Sequence, residues 1–201
     1  MKNLLKTIGI TLGTILLLIL IVAGTTLFLM HRPSSLTASM TPIVSTHEAA
    51  VVLENKLTDF ENSVQNATPG TQVSLNVSQE EITSKVNEEL AGMTDKLPAG
   101  MTISNVSINF QDGKALISAP LKYSALSGTA GAQIAVNTVD GRPTVQIQEI
   151  DFGALPIPQA VKDQLIGLIP NNGTIDMGNI PVDITQIQII NGQIVMNGVT
   201  R

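Results

Sequence analysis

Residues 106–123 read VSINFQDGKALISAPLKY, and this stretch decides the fold that the sequence predicts. Apolar and polar residues alternate from Val106 to Phe110, Asp112-Gly113 follows as a two-residue turn signal, and the alternation resumes at Ala115. A period of two on both sides of such a dipeptide is typical of an antiparallel hairpin. The outgoing strand keeps one parity for its small, aliphatic and aromatic residues, at Ala115, Ile117, Ala119, Leu121, Tyr123 and Ala125.

Departures from strict alternation in this region predict local distortions of the sheet. One-residue slips separate Ile103 from Val106 and Ile147 from Ile150, and a slip of this kind indicates a β-bulge. Pro120 interrupts the outgoing strand on the opposite parity. Because proline has no N–H to donate to a ladder, we expect an edge or a bend at that position.

The meander continues on the C-terminal side and is preceded by helical periodicity. Residues 128–139 predict a strand, Asp140-Gly141 a turn, and Asn191-Gly192 a closing two-residue hairpin. Upstream, Ser45-Thr46-His47-Glu48 predicts a capping box with Ser45 as the cap, followed by an apolar stripe of helical spacing. A strand from Val73 to Val77 then leads into a second capping box, Ser78-Gln79-Glu80-Glu81.

A third helix is expected to begin at Pro158, because proline fits the first turn of a helix, where its missing N–H costs nothing. The predicted fold class is therefore α+β. We expect one long curled antiparallel sheet packed on two or three amphipathic helices, after an N-terminal transmembrane helix.

The N-terminal residues differ in kind from the rest of the chain. No charged residue lies between Thr7 and Met30, and about 24 helical residues cover roughly 36 Å, enough for a hydrocarbon core of about 30 Å. A cleaved secretory signal has a shorter apolar core, of about 7–15 residues, so an uncleaved signal anchor is the favoured interpretation. Lys2 and Lys6 precede the apolar run, which favours a cytoplasmic N-terminus.

Four segments follow from this interpretation. Residues 1–6 form a short cytoplasmic tail, 7–30 the transmembrane signal anchor, 31–44 a linker, and 45–201 an extracytoplasmic α+β domain. The protein is therefore expected in the cell membrane as an integral protein with a single span.

Charge and composition exclude several classes of function. After Arg32 the chain has eight basic and sixteen acidic residues, a net charge of −8, which argues against nucleic acid as a partner and against electrostatic docking on anionic lipid. The chain has no cysteine, so disulfides, thiolate catalysis and acylation at cysteine are excluded.

Residues with catalytic potential do not form a recognisable constellation. The two histidines have no third metal-ligand candidate at a useful spacing, and Asp176 and Asp183 are isolated. Glu149 and Asp151 lie one pleat apart on a strand face and are expected to be solvated. The sequence predicts no catalytic, cofactor-binding or metal site, and hence a protein that is not an enzyme and needs no cofactor.

The apolar interior is what remains as a candidate for function. Small residues on the inner parity of the strands allow close approach either of the chain's own helix or of an acyl chain lying between sheet and helices. In the second case the apolar groove is predicted to be lined by Leu53, Leu57, Phe60, Ile82, Val86, Ile117, Leu121, Ile134, Val136, Val161 and Leu165.

Some of these patterns resemble known bacterial proteins. Three features resemble the YpmS-like family of membrane-anchored proteins. They are the lysine-flanked anchor, the strand running into Ser78-x-x-Glu81-Ile82-x-x-x-Val86-Asn87, and the step Gly153-x-Leu155-Pro156-x-Pro158. The hairpin Ile187-x-Ile189-x-Asn191-Gly192-x-Ile194-x-Met196-x-Gly198 resembles the end of the LmeA-like phospholipid-binding family. The first resemblance implies a bacterial, single-pass, extracytoplasmic protein. The second implies a tubular lipid-binding fold, with a curled sheet around a long helix, and no enzyme activity.

Two hypotheses of different classes follow. In the first, the extracytoplasmic domain binds lipid or another apolar ligand near the membrane. In the alternative, it is an envelope protein–protein interaction or scaffolding module with an ordinary filled core, whose surface is a sheet edge or the glutamines Gln146, Gln148, Gln186 and Gln188.

Overall fold

The computed structural model describes residues 34–92, 101–123, 126–151, 173–174 and 180–201. The described residues form two α-helices, α1 (His47–Gln65) and α2 (Gln79–Ala91), and a short 3-10 helix (Ser35–Thr37). The strands are β1 (Gln72–Ser78), β2 (Met101–Ile103), β3 (Ser107–Gln111), β4 (Lys114–Tyr123), β5 (Leu126–Val139), β6 (Arg142–Asp151), β7 (Gly173–Thr174), β8 (Val182–Ile190) and β9 (Gln193–Thr200). The predicted anchor at 7–30 and the helix expected from Pro158 lie outside the described residues.

The described strands form two antiparallel sheets, where the sequence predicted one. The larger sheet has the order β2-β4-β5-β6-β7, with β3 also paired to β4, and the smaller sheet has the order β1-β9-β8. The α+β class is confirmed, but the closing hairpin does not extend the meander, because β9 pairs with β1 along residues 72–78 and 193–199. A hydrogen bond of 2.9 Å from the Ile184 amide to the Gly141 carbonyl connects β8 to the β5–β6 turn.

The three two-residue turns are confirmed. Both central residues have positive φ in each turn: 51° and 74° at Asp112-Gly113, 51° and 72° at Asp140-Gly141, and 50° and 73° at Asn191-Gly192. Positive φ at both positions defines the type I′ turn, whose twist matches that of the flanking strands. These dipeptides therefore fix the register of three hairpins locally.

The two predicted bulges are also confirmed. Ile103 pairs with Leu121 whereas Ser107 pairs with Ser118, so the segment joining β2 to β3 has one residue more than the facing part of β4. In the β5–β6 ladder the register shifts between Gln133 and Ile134, which leaves an extra residue on β6. Each bulge restores an apolar residue to the inner face after the slip in the sequence pattern.

Pro120 does not lie on an edge strand, because β4 has neighbours on both sides. Its carbonyl accepts a hydrogen bond of 3.3 Å from the Ser104 amide, so its ring nitrogen faces the same neighbour. At that position β2 has ended and β3 has not begun. The missing N–H of Pro120 therefore falls in the interruption between β2 and β3, which is the distortion the proline requires.

The structure confirms one of the two predicted capping boxes and contradicts the other. At α2 the Ser78 hydroxyl accepts from the Glu81 amide at 3.2 Å and the Glu81 carboxylate accepts from the Ser78 amide at 3.0 Å, which completes the predicted capping box. At α1 the cap is Thr46 and not Ser45, because the Thr46 hydroxyl accepts from the Ala49 amide at 3.1 Å. With Thr46 as the cap, the residue three positions later is Ala49, which has no side-chain acceptor, so the predicted capping box with Glu48 is wrong. Ser and Thr are both favoured cap residues, and the sequence alone did not show which of the two adjacent candidates caps the helix.

Within the part of the chain that the structure describes, two apolar clusters hold the layers together. The smaller cluster lies between α1 and the smaller sheet and is built from Phe60, Val64, Leu75, Ile180, Val182 and Ile184. The larger cluster covers the inner face of the larger sheet and consists of Val86, Leu90, Val106, Ile108, Phe110, Ala115, Ile117, Ala119, Ala132, Ile134 and Ile189. Because Ile189 of β8 belongs to the larger cluster, the smaller sheet also packs on the larger one.

Candidate apolar binding site

The inner face of β5 and β6 has a row of aliphatic side chains that are only partly buried. The residues paired across this face are Val136 and Val145, Ile134 and Ile147, and Ala132 and Ile150. Ile134 and Ala132 are buried, whereas the other four pack against the larger cluster and keep part of their surface exposed. We call these four residues, Val136, Val145, Ile147 and Ile150, the β5–β6 strip.

Beside the strip the sheet has a row of alanines. Ala115, Ala119, Ala130 and Ala132 are between 2 % and 7 % exposed, and Ala119 pairs directly with Ala130 across the β4–β5 ladder. Their short side chains let whatever packs on this face come close to the sheet backbone. Val86 of α2 belongs to the same cluster, so the chain's own helix fills part of this space.

The structure brings five of the predicted groove residues together. Val86, Ile117 and Ile134 are buried in the larger cluster, and Ile82 and Val136 pack against it. These residues come from α2, β4 and β5, so the predicted arrangement of helix against sheet is present for this group.

The remaining groove residues are not part of that group. Phe60 is buried in the smaller cluster, Leu57 packs against it, and Leu53 is buried on α1 with 2 % of its surface exposed. The side chains of three predicted residues lie outside the description: Leu121, Val161 and Leu165. The described part of the predicted groove is therefore divided between two clusters, because α1 packs on the smaller sheet.

Helix α2 closes the outer edge of β3 with side-chain hydrogen bonds. Thr83 is fully buried, and its hydroxyl accepts from the Ile108 amide at 3.0 Å and donates to the Ile108 carbonyl at 3.3 Å. A buried backbone pair without partners would cost about 1–3 kcal/mol per group, so this threonine takes the place of a neighbouring strand.

Two further residues of α2 extend the same contact along β3. The Asn87 amide group donates to the Val106 carbonyl at 2.7 Å and accepts from the Val106 amide at 2.9 Å. The Gln79 side chain accepts from the Phe110 amide at 3.0 Å. Gln79, Thr83 and Asn87, which we call the polar ladder, therefore satisfy alternate residues of an edge that would otherwise be free to pair.

The polar ladder was not among the predicted features, although a signal for it exists in the sequence. Gln79, Thr83 and Asn87 recur every four residues, which places them on one face of a helix. Thr83 directly follows Ile82 and Asn87 directly follows Val86, so the polar stripe borders the apolar one. Uncharged polar residues in such a stripe are suited to bond with a strand edge.

Charged residues join α1 to α2 at the surface. Lys85 of α2 contacts the Glu54 carboxylate of α1 and lies 3.8 Å from Glu89, and Lys56 lies 2.7 Å from Glu81. Burial lowers the pKa of Lys85, but the hydrogen bond and charge of Glu54 outweigh it, so the net shift is upward. Burial raises the pKa of Glu89, against the opposing charge of Lys85.

The histidine of the described part takes part in an exposed ion pair. His47 Nδ1 lies 2.7 Å from Glu88, and the hydrogen bond to that carboxylate together with its charge raises the pKa of His47. The imidazole is 77 % exposed, and it lies in the first turn of α1. No cluster of three or more His, Asp or Glu side chains suited to a metal ion occurs among the described residues.

Comparison with protein-family models, curated proteins and solved structures finds no match to this chain. The resemblance to YpmS-like and LmeA-like proteins therefore stays a prediction. In the described ranges no helix has both the length and the hydropathy needed to cross a membrane.

Proposed function

We propose that this protein is a non-enzymatic, membrane-anchored domain that binds lipid or another apolar ligand on the outer side of the membrane. The anchor is the apolar run at 7–30, and the extracytoplasmic placement follows from the lysines before it. The observation that carries the ligand proposal is the β5–β6 strip, four partly exposed aliphatic residues in register on the inner face of a long sheet.

The chemistry of the strip favours an aliphatic ligand. Its side chains are branched and uncharged, and the short side chains of the adjacent alanines leave room for a linear chain to lie close to the sheet. Ligand sites are typically concave and mostly apolar, with few polar groups. Each methylene that such a chain buries contributes about 0.8 kcal/mol, so about ten buried methylenes contribute roughly 8 kcal/mol, the order needed for micromolar binding.

Photo-crosslinking of the full-length protein in bilayers tests the proposal. Phosphatidylcholine with a diazirine on its acyl chain is expected to label β5 and β6 peptides as well as the anchor. Ile147→Glu places a carboxylate in the strip and is expected to reduce labelling of β5 and β6 at least about fivefold, because a bound acyl chain would bury this charge without a partner.

The matched control is Gln146→Glu, which places the same carboxylate one residue away on the opposite, exposed face. Labelling is expected to be unchanged in this variant, and thermal unfolding of both variants shows whether the fold persists. Labelling confined to residues 7–30 in the unaltered protein would contradict lipid binding by the domain.

The alternative is a scaffolding module, and one observation favours it. Gln146, Gln148, Gln186 and Gln188 are all exposed, and Gln148 accepts a hydrogen bond of 2.7 Å from Gln133. Ordered amides on exposed strands can bond a partner strand or loop. Two results together would establish this function instead. The full-length protein would purify in a stoichiometric complex that Gln146→Ala and Gln186→Ala disrupt, and lipid crosslinking would label no β5–β6 peptide.

A further inference from the structure

The segment before α1 is held on the outer face of the larger sheet. Ser34 is fully buried, and its hydroxyl donates to the Asp151 carboxylate at 2.8 Å. The Ser35 amide and hydroxyl donate to the same carboxylate oxygen at 2.6 and 2.9 Å. We call residues 34–46 the strap. Asp151, which the sequence predicted to be solvated, thus accepts the hydrogen bonds that hold the first residues of the strap on the sheet.

A glycine in β5 makes room for the strap. A Cβ at Gly131 would lie 2.4 Å from Ser34 Oγ, 2.9 Å from Thr37 Cγ2 and 3.1 Å from Leu36 Cβ. Cβ contacts shorter than 3.0 Å are essentially never seen, so a side chain at this position would force Ser34 and Thr37 to move away from the sheet. Glycine inside a strand often marks close approach of another backbone.

The rest of the strap crosses the sheet toward α2. The Asn109 side chain donates to the Thr41 carbonyl at 3.0 Å, and the Ile43 amide donates to Ser107 Oγ at 3.0 Å. The Thr46 amide then donates to Ser84 Oγ of α2 at 3.0 Å. The strap is therefore fixed at both ends and in the middle.

The docked strap changes how far the domain extends from its anchor. If residues 31–44 were a free linker, its fourteen residues would span up to roughly 46–50 Å. With the strap docked at Ser34, the residues that separate the proposed anchor from the domain are 31–33, and three residues can span at most about 10 Å. The β6 end that carries Asp151 must then lie close to the outer surface of the membrane.

We propose that the strap is a latch that holds the domain against the headgroup surface of its own membrane, with the Asp151 end of the larger sheet nearest to the bilayer. This inference rests on the proposed anchor. It also gives the proposed ligand an entry route, because Ile150 of the β5–β6 strip is adjacent to Asp151. The opposite end of β6, at Arg142, lies nine residues or about 30 Å farther along the strand.

Two variants release the strap by different means. Gly131→Val expels it sterically. Ser35→Pro removes both Ser35 donors, and the φ of −53° and ψ of 139° at Ser34 suit a residue before proline. The matched control is Gly92→Ala, because a Cβ at Gly92 makes an ordinary contact of 3.5 Å with the Glu89 carbonyl.

The experiment uses the full chain in phosphatidylcholine nanodiscs. Since the protein has no cysteine, Gln146→Cys gives one site for a fluorescent donor, and lipid-linked acceptors report its height above the bilayer. Hydrogen exchange of residues 36–46 is measured on the same samples. We expect at least about tenfold faster exchange in both release variants. We also expect a greater and broader donor height, since a freed fourteen-residue coil has an average reach of about 20 Å.

Gly92→Ala is expected to match the unaltered protein in both measurements. Faster hydrogen exchange of residues 36–46 in the release variants, with an unchanged donor height, would overturn the latch. Strap amides that exchange without protection in the unaltered protein would also overturn it. Failure of the chain to insert into nanodiscs would overturn the anchor and the latch together. Absence of lipid labelling on β5 and β6, with height and exchange as expected, would refute the ligand proposal and leave the latch standing.

Discussion

Along its strand order the larger sheet has a β3 side and a β5–β6 side, and the two differ in how completely they are covered. On the β3 side, the polar ladder of α2 bonds the backbone of the edge, and Val106 and Ile108 are almost fully buried. On the β5–β6 side, aliphatic side chains remain partly exposed. The β3 side is closed by both packing and hydrogen bonds and therefore contributes stability, whereas the proposed function assigns ligand binding to the partly exposed β5–β6 side. The two sides should therefore respond differently to the same substitution.

The largest expected difference in unfolding free energy comes from replacing an isoleucine by alanine on each side. Ile108→Ala is expected to lower the free energy of unfolding by about 3 kcal/mol, because it leaves a cavity in a site that is 4 % exposed. Ile147→Ala should cost about 1 kcal/mol, because its side chain is already partly in solvent. Urea unfolding followed by far-ultraviolet circular dichroism measures both. Equal losses would show that the strip is ordinary core and would remove the contrast between the two sides.

A smaller effect is expected from the polar ladder. Thr83→Val keeps the side-chain shape but leaves the Ile108 amide and carbonyl without partners, and should cost about 2 kcal/mol. The control is Thr185→Val, since Thr185 is exposed and donates to the Asn197 carbonyl at 3.2 Å. It should change the unfolding free energy by less than about 0.5 kcal/mol. A loss at Thr83 as small as that at Thr185 would mean that water replaces the threonine at this edge.

How much of this could be predicted from sequence depends on the range of the interaction. The Asp112-Gly113 turn, the Ser78 cap and the bulge after Ile103 are set by neighbouring residues, so periodicity and turn chemistry predicted them. The pairing of Gln72 with Val199 joins distant parts of the chain, and no local pattern specifies it. That pairing is what divides the expected single sheet in two.

The candidate site was predicted in part for the same reason. Strand parity correctly placed Ile117 and Ile134 on an inner face, but parity does not tell which helix packs on it. Leu57 and Phe60 were therefore assigned to the same groove as Val86, whereas they pack on the smaller sheet. Ser34 and Asp151 were not expected to meet, because their contact depends on the open space at Gly131.

The smallest expected effect concerns pH and the helix pair that supports the closed side. Association with Glu88 raises the pKa of His47, so the stabilisation is complete below the unfolded value of about 6.5 and is lost as pH rises through the folded value. Burial also raises the pKa of Glu89, so its contribution is complete below the unfolded value of about 4.3 and is lost as pH rises through the folded value, in a lower pH range than that of His47. His47→Ala should therefore flatten the dependence of the unfolding temperature on pH above about 6.5 and leave it unchanged near pH 5. Glu88→Gln should have the same effect, and Glu80→Gln on the exposed side of α2 should have none.

A slope that His47→Ala does not alter would show that solvent and salt screen this exposed pair completely, and that Lys85 with its carboxylates connects the two helices without it.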